Sequence, residues 1–245
     1  MWSKDFFDSI TEKFFLINNI EEDVISFFKQ NGLNFNSRVL EQCCGVGTLS
    51  NTLSKKLNSR FTGMDIIPEY IEKALEENKK IQKLNKFIVE DISQANFFGL
   101  FHFVINFNTS CNYFKEDEKN EMFFKHAFKN LKTNGFYFID FYNSNFLEKN
   151  FKEFREEKHI IDGKEYLIEK KSKIIDKMLI TYVFIFDENK NLIKKSVFET
   201  KMYTNFELEE MLLKVGFSQI NQYSNFKMEP FNTDTSSKLI IIAKK

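Results

Sequence analysis

The fold of this chain is decided by the stretch RVLEQCCGVGTLS, residues 38–50. It begins with a short apolar strand that ends in the acid Glu41. Gly45 and Gly47 then allow a tight turn in which the backbone approaches a ligand closely, because glycine has no side chain. The apolar residues that follow recur every four positions, at Leu49, Leu53 and Leu57. The stretch therefore predicts a buried strand, a glycine turn and a helix whose free N–H groups face a ligand.

Two familiar nucleotide-binding motifs do not fit this turn. A dinucleotide fingerprint has the pattern G-x-G-x-x-G, and counting from Gly45 the third glycine is replaced by Ser50. A P-loop requires a lysine that is absent here. Glu41 would also repel a pyrophosphate, whereas a carboxylate suits a cationic or zwitterionic ligand. Taken alone, the motif leaves open a strand-to-helix turn in some other α/β protein.

The composition excludes several classes of function. The 245 residues are enough for one α/β domain with an insertion. Lysine plus arginine and aspartate plus glutamate number 35 each, so the formal net charge is zero. Nucleic acids and anionic membranes require a basic surface, and we expect neither as a partner. The 31 phenylalanines indicate a biased composition and a large aromatic core.

The cysteines indicate a reduced protein without a bound metal. There are three, two of them adjacent, which makes neither a disulfide framework nor a zinc site. Free thiols fit a reducing, cytoplasmic environment. No apolar stretch approaches the roughly 18 residues of a membrane span. Acidic residues interrupt the N-terminal apolar pattern, so we expect no signal peptide.

The glycine turn resembles the first motif of the class I S-adenosylmethionine-dependent methyltransferases. That motif is a hydrophobic strand, an acidic residue and G-x-G-x-G, and it stands here as VLEQCCGVG, with Cys43 at the first glycine position. The resemblance implies an α/β fold with a Rossmann-like, seven-stranded, doubly wound sheet whose last strand is antiparallel. It also implies S-adenosylmethionine as cofactor and S-adenosylhomocysteine as product. The residues of this motif that it assigns to the cofactor are Glu41, Cys43, Gly45 and Gly47.

A second acid follows at the distance of one strand–helix–strand unit. Asp65 ends the predicted strand 61–65 and lies 18 residues beyond Gly47. A carboxylate there can accept hydrogen bonds from both ribose hydroxyls of the cofactor. The resemblance adds that the next residue, Ile66, lines the adenine.

The third and fourth predicted strands, 87–89 and 101–106, complete the expected cofactor site. By resemblance, Asp91 accepts a hydrogen bond from the adenine amino group, and the backbone N–H of Ile92 contacts the adenine ring. Glu90 is the alternative acid for the role of Asp91. Asn106, at the end of the fourth strand, is assigned to the cofactor as well.

The acceptor is expected beside the loop 107–114, because ligands of open α/β sheets bind at the carboxyl ends of the strands. The residues that we expect to contact it are Asn108, Ser110, Tyr113, Asn143, Glu199 and Tyr203. Two histidines near this region are given no catalytic role. His102 is interpreted as structural and His126 as a surface residue.

Residues 146–203 break the helix–strand alternation and predict an inserted antiparallel sheet over the active site. Asp162-Gly163 is a hairpin signal, and 177–186 and 192–203 are extended. The predicted methyltransferase domain is then 1–145 and 204–245, and Thr204-x-x-Glu207 is a capping box. An inserted sheet resembles the small-molecule group that includes sugar N-methyltransferases and glycine N-methyltransferase-like enzymes, as do Tyr203-Thr204 and Pro230-Phe231.

The N-terminal residues predict an amphipathic helix near residues 2–17. Its apolar positions recur every four residues, at Trp2, Phe6, Ile10 and Phe14. Two interpretations stay open. The helix packs on the core, or, as the resemblance suggests, it is a mobile lid over the cofactor.

The expected reaction is an in-line displacement in which an oxygen or nitrogen of a small polar acceptor attacks the sulfonium methyl group. A hydroxyl acceptor benefits from a base, and the candidates are Tyr113, His159 and Glu199. An anionic acceptor needs none. The acceptor that we consider first is a surface-polysaccharide precursor, either a sugar or a phosphoramidate group on one. The enzyme would be a monomer or a homodimer.

Three alternatives stay open: a methyltransferase that acts on a macromolecule, a protein that binds S-adenosylmethionine without catalysis, and a nicotinamide oxidoreductase.

Overall fold

The computed structural model describes residues 20–108, 110–161 and 163–245. The helices in these residues are α1 (Glu22–Gln30), α2 (Thr48–Leu57), α3 (Pro68–Ile81), α4 (Asp117–Asn130), α5 (Ser144–Lys149) and α6 (Asn205–Val215). The strands are β1 (Arg38–Gln42), β2 (Arg60–Asp65), β3 (Lys86–Val89), β4 (Phe101–Asn106), β5 (Leu131–Tyr142), β6 (Phe154–Ile161), β7 (Lys164–Ile175), β8 (Met178–Phe186), β9 (Leu192–Lys201), β10 (Ser218–Tyr223) and β11 (Lys238–Lys244). The helix expected near residues 2–17 lies outside the described residues.

The main sheet has seven strands in the order β10-β11-β5-β4-β1-β2-β3. Strands β1 to β5 are parallel, and β11 pairs antiparallel with both β5 and β10. This confirms the predicted α/β fold, with its antiparallel last strand. The chain leaves the interior strand β1 toward β2 on one side and later returns to β4 on the other. Ligands of such sheets bind at this switch point, outside the carboxyl ends of the strands.

The two faces of the main sheet are covered by separate apolar cores. Because strand side chains alternate, neighbouring residues of β1 enter different cores. Val39 packs with residues of α1 and α2, whereas Leu40 packs with residues of α4 and α6. Aromatic rings fill both cores, as the phenylalanine content predicts. For example, the rings of Phe27 and Phe138 meet edge to face at 5.7 Å.

The predicted capping box is confirmed by its geometry. The Thr204 hydroxyl accepts from the backbone N–H of Glu207, and the Glu207 carboxylate accepts from that of Thr204, which completes the capping box at α6. Gly216, at φ 114°, ends the helix. Strand β5 is irregular at residues 132–135, between Leu131, which pairs with Phe101, and Phe136, which pairs with Phe103. Asn134, within this irregularity, has φ 63°.

The insertion forms a separate four-stranded antiparallel sheet in the order β6-β7-β8-β9. Its first hairpin reverses beside Gly163, which has φ 77°, as the Asp162-Gly163 signal predicts. The sheet buries a small apolar cluster of Ile168, Val183 and Ile185. The short helix α5, which precedes this sheet, was not predicted. None of the helices in the described residues is long and apolar enough to cross a membrane.

Candidate active site

A cavity of about 420 Å³ opens at the carboxyl ends of β1, β2, β3 and β4. Its size is within the range of about 300–1,000 Å³ that is typical of small-molecule sites. Ten of the predicted site residues line it, namely Glu41, Cys43, Gly45, Asp65, Ile66, Asp91, Ile92, Asn108, Ser110 and Tyr113. The structure therefore brings together residues that are up to 72 positions apart in the sequence.

The glycine turn puts three residues into the left-handed backbone region. They are Cys43 at φ 53°, Gly45 at φ 53° and Gly47 at φ 73°. Gly45 lines the cavity, but Gly47 does not. A Cβ atom on Gly47 would lie 2.7 Å from Cε1 of Phe87 and 2.9 Å from Cβ of Ala74. Gly47 is thus required for packing. The prediction placed it beside the cofactor, but the structure does not bring it to the cavity.

The Glu41 carboxylate is buried at the floor of the cavity, with 3% of the residue exposed. It accepts a hydrogen bond from the backbone N–H of Ser50 at 3.1 Å and another from the Ser50 hydroxyl. Burial nevertheless raises the pKa of Glu41 to about 8, because removal from water penalises the charged form more than these bonds favour it. A cationic ligand beside Glu41 would favour its charged form.

Asp65 is joined to the glycine turn by hydrogen bonds. One carboxylate oxygen accepts from the N–H of Gly45 at 2.9 Å, and the other accepts from the N–H of Ile67 at 3.1 Å. Burial raises the pKa of Asp65 above its ordinary value. Each carboxylate oxygen can accept a further bond, so the pair of ligand hydroxyls expected here can still be bound.

The acids after β3 also face the cavity. Asp91 accepts from the N–H of Ser93 at 2.7 Å, and Glu90 accepts from the N–H of Asp91 at 3.1 Å. Together with Glu41 and Asp65 they are four carboxylates around one cavity. The lining residues that the structure describes include no lysine, arginine or histidine. The cavity is therefore suited to a ligand that carries positive charge.

The loop after β4 contributes Phe107, Asn108, Ser110, Tyr113 and Phe114 to the lining of the cavity. Asn108, at φ 64°, donates its backbone N–H to the buried carboxylate of Asp140 at 2.6 Å. Burial raises the pKa of Asp140 to about 6. Ser110 donates its N–H to the side-chain oxygen of Asn106 at 3.2 Å. Asn106 does not line the cavity, so the structure gives it a supporting contact in place of the predicted cofactor contact.

Tyr113 and the nearby thiols are protonated groups. Burial raises the pKa of Tyr113 far above its ordinary value, which leaves its hydroxyl as a hydrogen-bond donor and a poor base. Burial also raises the pKa of Cys43, Cys44 and Cys111. The Cys43 thiol lies 3.9 Å from the carbonyl oxygen of Ser110 and so connects two segments of the cavity lining.

The structure does not bring two predicted residues of the insertion to the cavity. His159 lies on β6, where its Nε2 is 3.5 Å from the carboxylate of Glu157. Glu199 lies on β9, opposite Ile180. The described lining residues all lie between 20 and 123, so the insertion contributes none of them. Sequence alone could not show this, because β-sheet patterning does not reveal where an inserted sheet is placed.

Asn143 and Tyr203 also lie away from the cavity, with their polar groups engaged elsewhere. The Asn143 amide donates to the carbonyls of Thr233 at 2.8 Å and Ser236 at 2.7 Å, and its oxygen caps α5. The Tyr203 hydroxyl donates to the carboxylate of Asp117 at 2.6 Å and accepts from the side-chain amide of Asn120 at 2.8 Å. Neither residue lines the cavity.

Sequence reasoning missed a buried polar hub at Gln42. Its amide donates to the carbonyl of Phe123 and to Nδ1 of His126, each at 3.0 Å, and its oxygen accepts from Tyr137 at 2.9 Å and Asn106 at 3.3 Å. His126 is buried, which corrects the expected surface position, and burial lowers its pKa to about 4. A glutamine within an apolar strand was the available signal.

Several apolar residues of the cavity were missed as well. Tyr70, Met122 and Phe123 line it from α3 and α4. Apolar residues at helical spacing cannot be distinguished from core residues by sequence alone.

Comparisons with known proteins agree with this geometry. Residues 39–135 match a family described as methyltransferase domain. No curated protein matches the chain. A solved S-adenosylmethionine-dependent methyltransferase from Clostridium acetobutylicum ATCC 824 is similar, with 17% identity, 96% of each chain covered and a TM-score of 0.79.

Two further solved structures have names that mention sugars. An amino pentose methyltransferase from Micromonospora echinaspora, with S-adenosylmethionine bound, is 12% identical, with 91% of this chain and 90% of that chain covered and a TM-score of 0.70. A sugar N-methyltransferase from Streptoalloteichus sp ATCC 53650 is 11% identical, with 91% and 86% covered and a TM-score of 0.67. At these identities the likeness is one of fold.

Proposed function

We propose that this chain, which contains a methyltransferase domain, is an S-adenosylmethionine-dependent methyltransferase that transfers the methyl group to an oxygen or nitrogen atom of a small polar metabolite. The observation that carries the proposal is the cavity at the switch point of the sheet, where Glu41, Asp65 and Asp91 converge. Its charge suits the cationic cofactor, and the adjacent loop offers amide and hydroxyl groups to an acceptor.

The residues around the cavity support a specific orientation of the cofactor. We assign the ribose hydroxyls to Asp65, the adenine to Ile66, Asp91 and Ile92, and the positively charged amino-acid end to Glu41. When bound, S-adenosylmethionine supplies a methyl group on a sulfonium sulfur. The Cys43 thiol lies 3.9 Å from the carbonyl oxygen of Ser110, and the two residues lie on different segments of the cavity lining.

The chain contributes chiefly by positioning the reactants and excluding water, because the methyl group is already activated. The acceptor's lone pair forms the new bond to the methyl carbon on the side opposite sulfur, and the carbon–sulfur bond breaks. We assign the acceptor to Asn108, Ser110 and Tyr113. Since Tyr113 stays protonated, it orients the acceptor by donating a hydrogen bond. The electron pair of the broken bond stays on sulfur, and the proton of an amine or hydroxyl acceptor passes to water outside the cavity.

Among acceptors, we propose to test sugars of surface-polysaccharide precursors first. The support is the likeness in fold to an amino pentose methyltransferase and to a sugar N-methyltransferase. The three free cysteines support a reducing, cytoplasmic site of action.

The first experiment is calorimetric titration of the purified protein with S-adenosylmethionine and with S-adenosylhomocysteine. Micromolar binding of both is expected. Binding of neither would contradict the proposal, and so would binding of NADH in their place, which would favour an oxidoreductase.

The acceptor is then found by incubating the enzyme with methyl-labelled cofactor and pools of nucleotide-linked sugars, free amino sugars and phosphorylated metabolites. Label in a small-molecule fraction is expected, and NMR of the product distinguishes O-methylation from N-methylation. Label recovered only in protein or nucleic acid would overturn the small-molecule assignment.

A further inference from the structure

The wall of the cavity is tied to the last strand of the insertion by one asparagine. The carbonyl oxygen of Asn112 accepts from the backbone N–H of Lys201 at 2.7 Å, and the Asn112 side-chain amide donates to the carbonyl of Lys201 at 2.8 Å. β9 is an edge strand, so these two groups of Lys201 are free of the ladder with β8. Asn112 is buried, with 6% exposed, and satisfies both groups at once.

Neighbouring bonds extend this attachment along the loop. Asn120, at the start of α4, binds both the N–H of Phe114, at 3.1 Å, and its carbonyl, at 2.7 Å. The same Asn120 amide donates to the Tyr203 hydroxyl at 2.8 Å. The Lys201 ammonium donates to the carbonyl of Lys115 at 2.9 Å. The loop is therefore held between α4 and the end of the insertion.

Asn112 lies between loop residues that line the cavity. Ser110, Tyr113 and Phe114 face the cavity, whereas Asn112, between them, faces Lys201. Asn112 is one residue from Tyr113 and two from Phe114, so its two bonds to Lys201 connect both lining residues to the end of β9.

We propose that Asn112 is a positioning residue that couples the insertion to the cofactor cavity. A ligand that shifts the insertion changes the affinity for the cofactor, and by reciprocity cofactor binding restrains the end of the insertion. This proposal rests on the proposed function only for the identity of the ligand in the cavity, since the mechanical attachment is independent of it.

The primary test compares Asn112→Ala with a matched control, Lys177→Ala. The Lys177 ammonium binds the Glu207 carboxylate at 2.5 Å and so joins the insertion to α6, but neither residue lines the cavity. Amide hydrogen exchange of the full chain, with and without S-adenosylhomocysteine, reports on residues 110–115 and 201. Calorimetry gives the affinity for the same ligand.

In Asn112→Ala we expect faster exchange at residues 110–115 and 201, and roughly tenfold weaker binding, as one lost buried hydrogen bond would give. The control should leave both unchanged. Bound S-adenosylhomocysteine should slow exchange at residue 201 in the wild type and in Lys177→Ala, but not in Asn112→Ala.

A second variant, Asn112→Asp, separates positioning from a general loss of stability. The ionised Asp side chain cannot donate a hydrogen bond to the backbone carbonyl of Lys201, whereas the protonated Asp side chain can. The ratio of variant to wild-type dissociation constants should therefore fall as the pH is lowered from 8 to 5, while the ratio for Asn112→Ala stays constant. Dividing by the wild type at each pH removes the contributions of Asp117, Glu41 and Asp65.

Three results would overturn the proposal. They are unchanged exchange in the loop of Asn112→Ala, unchanged affinity in that variant, and equal effects in Lys177→Ala. If the wild type binds neither S-adenosylmethionine nor S-adenosylhomocysteine, while Asn112→Ala still loosens both the loop and residue 201, then the proposed function fails and the attachment through Asn112 stands.

Discussion

Glu41 controls how the charge of the cavity depends on pH. Its folded pKa is about 8, against an ordinary value of 4.5. Between these values the folded protein retains a proton that the unfolded chain has lost, so the free energy of unfolding should fall as the pH rises through this window. In Glu41→Gln the decline should be smaller, and what remains should come from groups such as Asp65 and Asp140. Urea unfolding of both proteins from pH 5 to 8 measures the difference, and identical slopes would contradict it.

The same carboxyl group should couple cofactor binding to proton release. A cation beside Glu41 favours its charged form and lowers its pKa, so below pH 8 binding of S-adenosylmethionine should release protons and become tighter as the pH rises. Calorimetry in buffers with different ionisation enthalpies measures the released protons directly. Glu41→Gln should release fewer, and equal release by both proteins would assign the proton to another group.

Asp65 should be the acid most sensitive to truncation. Asp65→Ala removes the carboxylate proposed for the ribose hydroxyls and frees the N–H of Gly45, which it holds at 2.9 Å. We expect the affinity for S-adenosylmethionine to fall about 10- to 100-fold, the effect of losing hydrogen bonds to a charged group. Glu188→Ala, which removes an exposed acid of the β8–β9 turn, serves as the control. An unchanged affinity in Asp65→Ala would refute the ribose assignment.

At the scale of elements, Gly47 and Gly163 form a natural pair for mutagenesis. Both have φ above 70°, but a Cβ atom on Gly47 would collide with Phe87, whereas a Cβ atom on Gly163 meets nothing within 4 Å. Gly163→Ala should cost about 1 kcal/mol of backbone strain. Gly47→Ala should cost roughly 3 kcal/mol, since overpacking is added. Urea unfolding measures both changes in the free energy of unfolding. Equal losses in the two variants would mean that the residues around Gly47 rearrange to accommodate a Cβ atom.

The elements, apart from the short helix α5, could largely be predicted from sequence, because most of them have a local sequence signal. The glycine turn, Pro68 and the capping box at Thr204 all fix boundaries through backbone geometry. The acids at strand ends converge because parallel strands end at one edge of the sheet. Asn143 and Glu199 could not be placed in this way, since their surroundings depend on segments distant in sequence. The hydrogen-bond network of Gln42 was missed because its four partners lie on three other elements, so the sequence around Gln42 gives no information about them.

At the scale of the whole molecule, the two sheets should differ in stability. The four-stranded sheet buries the cluster Ile168, Val183 and Ile185 in the part of the chain described here, whereas the main sheet is covered by large cores on both faces. Regions with few buried apolar contacts open at lower free energy. Hydrogen exchange in increasing urea should therefore release the amides of β7 and β8 before those of β1 and β4. Simultaneous release would show that the molecule unfolds as one unit.

The carboxylates around the cavity have a consequence for turnover. Methyl transfer converts a positively charged sulfur into a neutral thioether, and Glu41, Asp65, Glu90 and Asp91 face that change with no basic side chain among the lining residues described. The reaction therefore removes part of the electrostatic attraction between the cavity and the cofactor. S-adenosylhomocysteine should dissociate more readily than S-adenosylmethionine. The loss of positive charge that accompanies methyl transfer should therefore favour release of the product.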